Sequence, residues 1–469
     1  MEIHVVQQGE TLYSIAQKYR VSPNQIITVN QLEYPNRLVV GLALLIPTST
    51  RKHVVQAGET PWKIAQNFGV THQNLLKANN LTSSSKLSPG QVLTIPAKTH
   101  TVQSGETIWQ IATRYGVAVS SLMEENNIQD PAQVTEGTVL LIPSPKPVID
   151  VNAYTITGGE TGGKQIHEVG KYLTYSAYFA YTIKANGDLT GINDQAVIQA
   201  SKDSRVAPIM CITNFTSQSA GSDLAHSILT NREAENRLLA NVIRIMRQKG
   251  YVGLNVDFEN VPQADRDAYN QFLQRTVDKL HSVGYFVSTA LAPKISGTQK
   301  GLLYEAHDYP AHGRIVDFVV LMTYEWGYRK GPPQAISPIN QIKRVLDYAV
   351  TVIPRHKIFL GFQIYARDWL VPHQTGQEAE TFSQQEAIKR AVQHQARIQY
   401  DTASQSPYFR YTDANGRNHE VWFEDARSAQ AKFDLVNSYN LRGVSYWTLG
   451  YPFPQNWPLL NSNFSIRKI

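Results

Sequence analysis

The stretch Tyr251-Val-Gly-Leu-Asn-Val-Asp-Phe-Glu259 decides how the rest of the chain is read. It has the apolar, β-branched character of one short buried strand that ends in carboxylates. Side chains on a strand alternate faces. Asn255, Asp257 and Glu259 therefore share one face, and Leu254, Val256 and Phe258 share the other. A row of Asn, Asp and Glu opposite an apolar row makes a poor structural strand, because buried carboxylates are costly without partners. Two acids spaced to interact at a strand end point instead to acid chemistry.

Working outward, apolar strand-like runs alternate with helical patterns. The runs are Val148–Thr155, Leu173–Thr182, Val206–Thr213, Val252–Phe258, Phe286–Ala292, Val316–Tyr324, Ile358–Tyr365 and Gly443–Leu449. Helical patterns such as Glu233–Gln248 and Arg266–Ser282 lie between them. Eight strand–helix units predict an α/β fold, a (β/α)₈ barrel over residues 148–469. The extra length at 367–424, between the seventh and eighth strands, predicts a small α+β insertion, with Asp413-Ala-Asn-Gly416 as a hairpin turn. Barrel chemistry sits at the carboxyl ends of the strands. Those ends read Ile212-Thr-Asn-Phe215, Asp257-Phe-Glu259, Met322-Thr-Tyr-Glu-Trp326, Tyr365-Ala-Arg-Asp-Trp369 and Tyr446-Trp-Thr448. Aromatics and carboxylates thus converge on one mouth, as a carbohydrate site requires.

Upstream, one unit occurs three times. Its landmarks are Gly9-Glu-Thr11, Gly58-Glu-Thr60 and Gly105-Glu-Thr107. From each glycine the same spacings lead to Asn30, Asn79 and Asn126, to Gly41, Gly90 and Gly137, and to Pro47, Pro96 and Pro143. Such agreement marks a true repeat. Each copy predicts strand–helix–helix–strand, with Thr11, Thr60 and Thr107 as helix N-caps. The predicted modules are 2–47, 52–96 and 99–143, joined by the short linkers Thr48–Lys52 and Ala97–Thr99 and by the stiff Ser144-Pro-Lys-Pro147.

Composition bounds the remaining choices. The chain has 469 residues, 42% hydrophobic and 17% charged, with a formal net charge of +6, which suits two to four folded domains. Its charges are scattered, without the basic stripe of a nucleic-acid site. No apolar run is long enough to cross a membrane. The single cysteine, Cys211, rules out an intrachain disulfide and reads as an inert buried thiol. The first residues lack signal-peptide anatomy. A monomer is expected.

The repeats resemble LysM domains, which implies βααβ modules binding N-acetylglucosamine in peptidoglycan or chitin. The resemblance places the ligand between the Gly-Glu-Thr turn and the loop before the last strand, so Gly9, Thr11, Gly58, Thr60, Gly105 and Thr107 are candidate glycan-binding residues. Folding alone would require the same residues. Tandem weak sites gain affinity through effective concentration.

The second part resembles glycoside hydrolase family 18. That family's Asp-x-x-Asp-x-Asp-x-Glu strand aligns with Val252, Asn255, Asp257 and Glu259, so the last two acids are kept and the first two are not. Met322-x-Tyr324-Glu325 matches Met-x-Tyr-Asp, with Glu in place of Asp. Trp447 matches the tryptophan that floors the −1 subsite. Met-Thr-Tyr-Glu-Trp-Gly-Tyr328, Gly331-Pro-Pro, Trp422-Phe-Glu-Asp425, Gly443-Val-Ser-Tyr-Trp447 and Pro452-Phe-Pro-Gln-Asn-Trp457 are similar to the branch of spore cortex-fragment-lytic glucosaminidases and spore-germination glycosylases of bacilli. That branch usually carries two LysM modules and no signal peptide, which implies a spore- or wall-associated protein.

The resemblance implies a substrate-assisted reaction, outside the usual two-carboxylate scheme. Glu259 would be the general acid, Asp257 would hold the substrate acetamido N–H, and Tyr324 would bond the acetamido oxygen. Trp447, Asn255, Glu325, Tyr365 and Asn214 are substrate-binding candidates, and Arg367, Asp368, Trp326 and Trp369 are further candidates to line subsites. Asn255, lacking a charge, should shift the pH profile rather than abolish activity. The scheme uses no cofactor and no metal. Two other readings stay open: a chitinase with LysM anchors, and a glycan-binding protein without catalysis. Retention of Glu259 argues against the latter.

Overall fold

The computed structural model describes residues 1–48, 51–55, 58–126, 128–143, 146–215 and 219–469. The predicted linker Ser144–Pro147 and the linker Thr48–Lys52 fall partly outside the described residues. The chain forms two compact units: Met1–His4, Glu10–Leu32 and Leu44–Pro147 make one, and Val5–Gly9, Glu33–Ala43 and Val148–Ile469 make the other. Among the described residues no helix is long and apolar enough to cross a membrane.

In the second unit the strands are β1 (Val148–Thr155), β2 (Tyr175–Thr182), β3 (Ala207–Thr213), β4 (Gly253–Asp257), β5 (Phe286–Leu291), β6 (Phe318–Leu321), β7 (Ile358–Gln363) and β8 (Gly443–Leu449). They pair in that order, all parallel, and β8 pairs back on β1, which closes the barrel. The short strand Ser465–Ile466 pairs in parallel with Val148 and Ile149 at the start of β1. Tyr154, Tyr175, Ile209, Cys211, Phe318 and Phe359 form one continuous buried cluster. Closure removes the exposed edges an open sheet would leave.

The helices start and stop where local chemistry dictates. The helix Arg232–Lys249 opens on Asn231, whose side chain accepts from the N–H groups of Glu233 and Ala234. It ends at Gly250, whose φ of 80° suits glycine. Glu233 and Glu235 lie in its first turn, and Arg247 and Lys249 in its last, complementing the helix dipole. Leu238, Leu239, Val242 and Met246 form its buried stripe.

The predicted insertion is an antiparallel sheet in the order Glu380–Ser383, Tyr365–Val371, Asn418–Trp422, Ser406–Thr412, Gln399–Asp401, with the helix Gln384–Gln393. Its hairpin turns at Asp413–Gly416: the Asp413 side chain accepts from the N–H groups of Asn415 and Arg417, and Gly416 has φ 75°. Two subsite candidates belong to this scaffold instead. Asp368 is buried and bonded to His419 Nδ1 (2.8 Å), Arg390 (2.9 Å) and the Tyr411 hydroxyl (2.6 Å). Trp369 is 1% exposed and donates Nε1–H to Gly331 O. A buried carboxylate with three donors is a fold element, not a free ligand.

In the first unit the second and third repeats are each closed by an antiparallel pair, Arg51–Val54 with Val92–Ile95 and Lys98–Thr101 with Val139–Ile142. Thr11, Thr60 and Thr107 cap their helices by accepting from the N–H groups of Ser14, Lys63 and Gln110. The repeated asparagines also gain a physical reason. Asn79 Nδ2 donates to Leu75 O and Thr94 O while its Oδ1 accepts from Thr94 N–H. Asn126 does the same with Leu122 and Leu141, and Asn30 with Ile26 and Leu45. One amide thus ties the second helix to the last strand in every copy.

Candidate active site

The site is built at the carboxyl end of β4. Register places Asn255 beside Cys211 on β3 and Ser288 on β5. Asn255 is 2% exposed, and its amide is occupied. Its Oδ1 accepts from the Tyr154 hydroxyl at 3.0 Å and lies 3.5 Å from Cys211 Sγ, while its Nδ2 donates to Ser288 Oγ at 3.0 Å. Asn255 was expected to contact substrate; its hydrogen bonds instead join three strands below the mouth. The resulting network holds no charge, and Asp257 Oδ1 above it finds no hydrogen-bond partner among the described residues.

Asp257 is buried, and burial followed by the Glu259 charge raises its pKa well above the usual carboxylate range. Glu259 is half-buried in the concave mouth, where burial and then the charge of Glu325 push its pKa up to about 7. Like charges this close cannot all ionise without cost. Tyr324 completes the cluster: burial, then the charges of Asp257, Glu259 and Glu325, hold its phenol well above its ordinary pKa. At neutral pH it is therefore an O–H donor.

The β6 ladder ends at Leu321, so Met322–Trp326 needs other support. Thr323 Oγ1 donates to Gly361 O at 2.7 Å, and Ser337 Oγ donates to Thr323 O at 2.5 Å. Gly361 on β7 is required here, because a Cβ would sit 2.2 Å from Leu321 O and 3.0 Å from the Tyr324 ring. Glu325 adopts φ 69°, a left-handed conformation that costs a non-glycine residue about 1–3 kcal/mol. Arg367 NH2 donates to Glu325 Oε1 at 2.8 Å, and the Tyr365 hydroxyl and the Gly327 carbonyl complete this clamp. Tyr365 is 3% exposed, so it acts by holding Glu325 rather than by offering a free face to a sugar.

Trp447 on β8 is partly exposed and packs edge-on against Tyr154 (5.5 Å between centroids) and Phe179 (5.0 Å). Its position above the aromatic barrel core leaves a ring surface of the kind sugars stack on. Asn214 is the clearest departure from expectation. It is 1% exposed, its Nδ2 donates to Glu259 O at 2.7 Å, and its Oδ1 accepts from Glu259 N–H at 2.8 Å. The β3–β4 ladder stops at Asp257–Thr213. The Asn214 side chain continues it by one residue, so it grips the backbone of Glu259 and has no amide left for substrate.

The model of glycosyl hydrolases family 18 matches residues 171–451, and the LysM domain model matches residues 4–47, 53–96 and 100–143. This chain belongs to family 18. Among family relatives, the cortical fragment-lytic enzyme of Bacillus subtilis (strain 168) is 46% identical, over 100% of this chain and 99% of the relative. The crystal structure of the Bacillus megaterium QM B1551 spore cortex-lytic enzyme SleL is 36% identical and covers 100% of this chain and 99% of its own, with a TM-score of 0.80. The Bacillus cereus enzyme of the same name is 37% identical over 89% of this chain and 99% of its own, with a TM-score of 0.68. As a family 18 member carrying this acid cluster, the chain is a glycosidase.

The geometry brings Asp257, Glu259, Tyr324 and Glu325 together around one mouth. Sequence reasoning missed Tyr154 and Ser288, the partners of Asn255. Tyr154 lies on β1, and only barrel closure carries it to β4.

Proposed function

We propose that the protein hydrolyses the β-1,4 bond after N-acetylglucosamine in peptidoglycan, specifically in spore cortex or its fragments during germination, with retention of configuration. The observation that carries this reading is Glu259: a carboxyl in an open mouth whose pKa is lifted to about 7, and hence a proton donor near neutrality. Glu259 gives its proton to the leaving oxygen as the substrate's own acetamido oxygen attacks the anomeric carbon. Asp257 accepts from the acetamido N–H through its unpartnered oxygen and stabilises the cyclic oxazolinium ion. Tyr324 donates to the acetamido oxygen, and Trp447 underlies the sugar ring. Glu259, now ionised, takes a proton from water, which opens the ring and restores the acid.

The cortex assignment is supported by the relatives matched along the whole chain, a cortical fragment-lytic enzyme and a spore cortex-lytic enzyme. The LysM repeats would keep the enzyme on the polymer, and Gly9, Thr11, Gly58, Thr60, Gly105 and Thr107 frame the turns at which the glycan would bind. A monomer associated with the spore wall fits this role.

The test is digestion of cortex peptidoglycan and of chitin oligomers, with products identified by mass spectrometry. New reducing-end N-acetylglucosamine from cortex is the expected result. Cleavage of chitin alone would replace this proposal with a chitinase, and cleavage of neither would overturn it.

A further inference from the structure

The peptide that carries Glu259 lies beyond the ladders of β4, which end at Asp257 on one side and Val256 on the other. Its polar groups need partners from elsewhere. Asn214 takes the N–H and C=O of Glu259. The carbonyl of Phe258, directly before the acid, goes to a residue the sequence did not single out: His307 Nε2 lies 2.9 Å from Phe258 O.

The other ring nitrogen fixes the tautomer. Ala292, the residue after β5, donates its N–H to His307 Nδ1 at 2.8 Å. A nitrogen that accepts cannot carry the proton, so the proton of the neutral ring is on Nε2 and is donated to Phe258. Burial holds the His307 pKa down to about 4, so this arrangement persists across neutral pH. The ring is also immobilised. The residue is 1% exposed, its ring lies beside Tyr269 and His312, and its backbone carbonyl accepts from the buried Lys294 Nζ at 2.9 Å. The Phe258 ring itself stacks on Tyr269 and Phe272.

We infer that His307 is a positioning residue for the general acid: its Nε2–H fixes the Phe258 carbonyl, and with it the peptide plane that aims Glu259 at the leaving oxygen. This rests on the reading of Glu259 as the acid. The carbonyl direction at Phe258 sets the Cα–Cβ direction of the next residue, and a misplacement of about 1 Å is enough to cost roughly 100-fold in rate.

Two substitutions separate aiming from mere packing. In His307→Gln the amide nitrogen falls near Nε2 and keeps the donor to Phe258, but the acceptor for Ala292 is lost. In His307→Asn the side-chain oxygen falls near Nδ1 and keeps that acceptor, but the donor is lost. Both should melt earlier. On soluble cortex fragments, whose leaving group is a sugar, the Asn variant should lose kcat by roughly 10- to 100-fold with KM within about 2-fold. The Gln variant should stay within about 3-fold of the native kcat. A 2,4-dinitrophenyl glycoside of N-acetylglucosamine oligomers needs no proton on its leaving oxygen, so on it the Asn variant should return to near the native rate. Equal losses in both variants, or an Asn variant equally slow on both substrates, would overturn the proposal. If the Asn variant does not fold, a Gln variant with impaired kcat on sugar leaving groups overturns it and one with native kcat supports it. Glu259→Gln is assayed alongside. If that variant still cleaves the sugar leaving group, the acid assignment fails. If it is inactive there while His307→Asn is unimpaired, only the role of His307 fails.

Discussion

Replacing Glu325 by Gln should move the alkaline limb of activity toward acid, and replacing Arg367 by Met should move it the opposite way. Glu259 must be protonated to act, so kcat/KM, which reports on the free enzyme, is full below the Glu259 pKa and falls as pH rises through it. That pKa is lifted from 4.5 to about 7, by burial first and by the Glu325 charge second. The full displacement corresponds to roughly 3 kcal/mol. Because burial is the larger cause, Glu325 supplies less than about half, at most ~1.5 kcal/mol or about one pH unit. Arg367 tempers that charge from 2.8 Å. Removing the guanidinium leaves Glu325 uncompensated, so the limb should rise by up to about one pH unit. The assay is initial rate on soluble cortex fragments from about pH 4 to pH 10, fitted for the position of the limb and not its height. Loss of a substrate contact lowers the whole curve without moving the limb. An unmoved limb in both variants, or movement in the same direction, would refute the electrostatic link between Glu325 and Glu259.

Other consequences are open to direct measurement. Glu259→Gln should lower turnover on cortex fragments by about 10²- to 10⁴-fold and leave wall binding, measured by cosedimentation, unchanged. The same variant should be more stable than the native protein above neutrality. A carboxyl whose folded pKa is raised binds its proton more tightly when folded, so stability is lost as pH rises from the unfolded value through about 7. Melts should show a gain of order 1–3 kcal/mol near pH 8 and under about 1 kcal/mol near pH 5. Asn255→Asp would place a further carboxyl beside Asp257 and remove the donor to Ser288, and denaturant titration at pH 7 should show a loss of about 2–4 kcal/mol. Gly361→Ala would press on Tyr324 and the β6 end, so kcat should fall well before any loss of wall binding is seen.

The barrel was legible because its strands are short apolar runs with helical patterns between them, and β1 and β8 fall within the predicted bounds. β6 was overestimated: Val316–Tyr324 was expected, but only Phe318–Leu321 is in the ladder. Beyond Leu321 the chain leaves the ladder and brings Tyr324 and Glu325 to the acid cluster, and an apolar run does not reveal where its ladder stops. The acids of β4 were legible through alternation. What Asn214 and His307 do was not, because both bond to backbone, and backbone partners leave no mark in a sequence. Asp368 and Trp369 misled for a related reason. They lie at a strand end where barrel chemistry is expected, but the insertion begins there and buries them. The repeats were the easiest part, since the N-cap threonines and the amide ties recur in three copies of one pattern.

Cys211 is wholly buried, is the chain's single cysteine, and lies beside Asn255 in the barrel interior. Burial raises its pKa, so it is neither a nucleophile nor readily oxidised while the barrel is closed. A thiol reagent can therefore reach it only through opening events around β3 and β4. The labelling rate of the native chain, with no engineered probe, becomes a clock for breathing of the strands that hold the acid. It can be read in the presence of insoluble wall, where optical unfolding assays fail. A bound glycan that tightens the mouth would slow that clock without touching the sulfur.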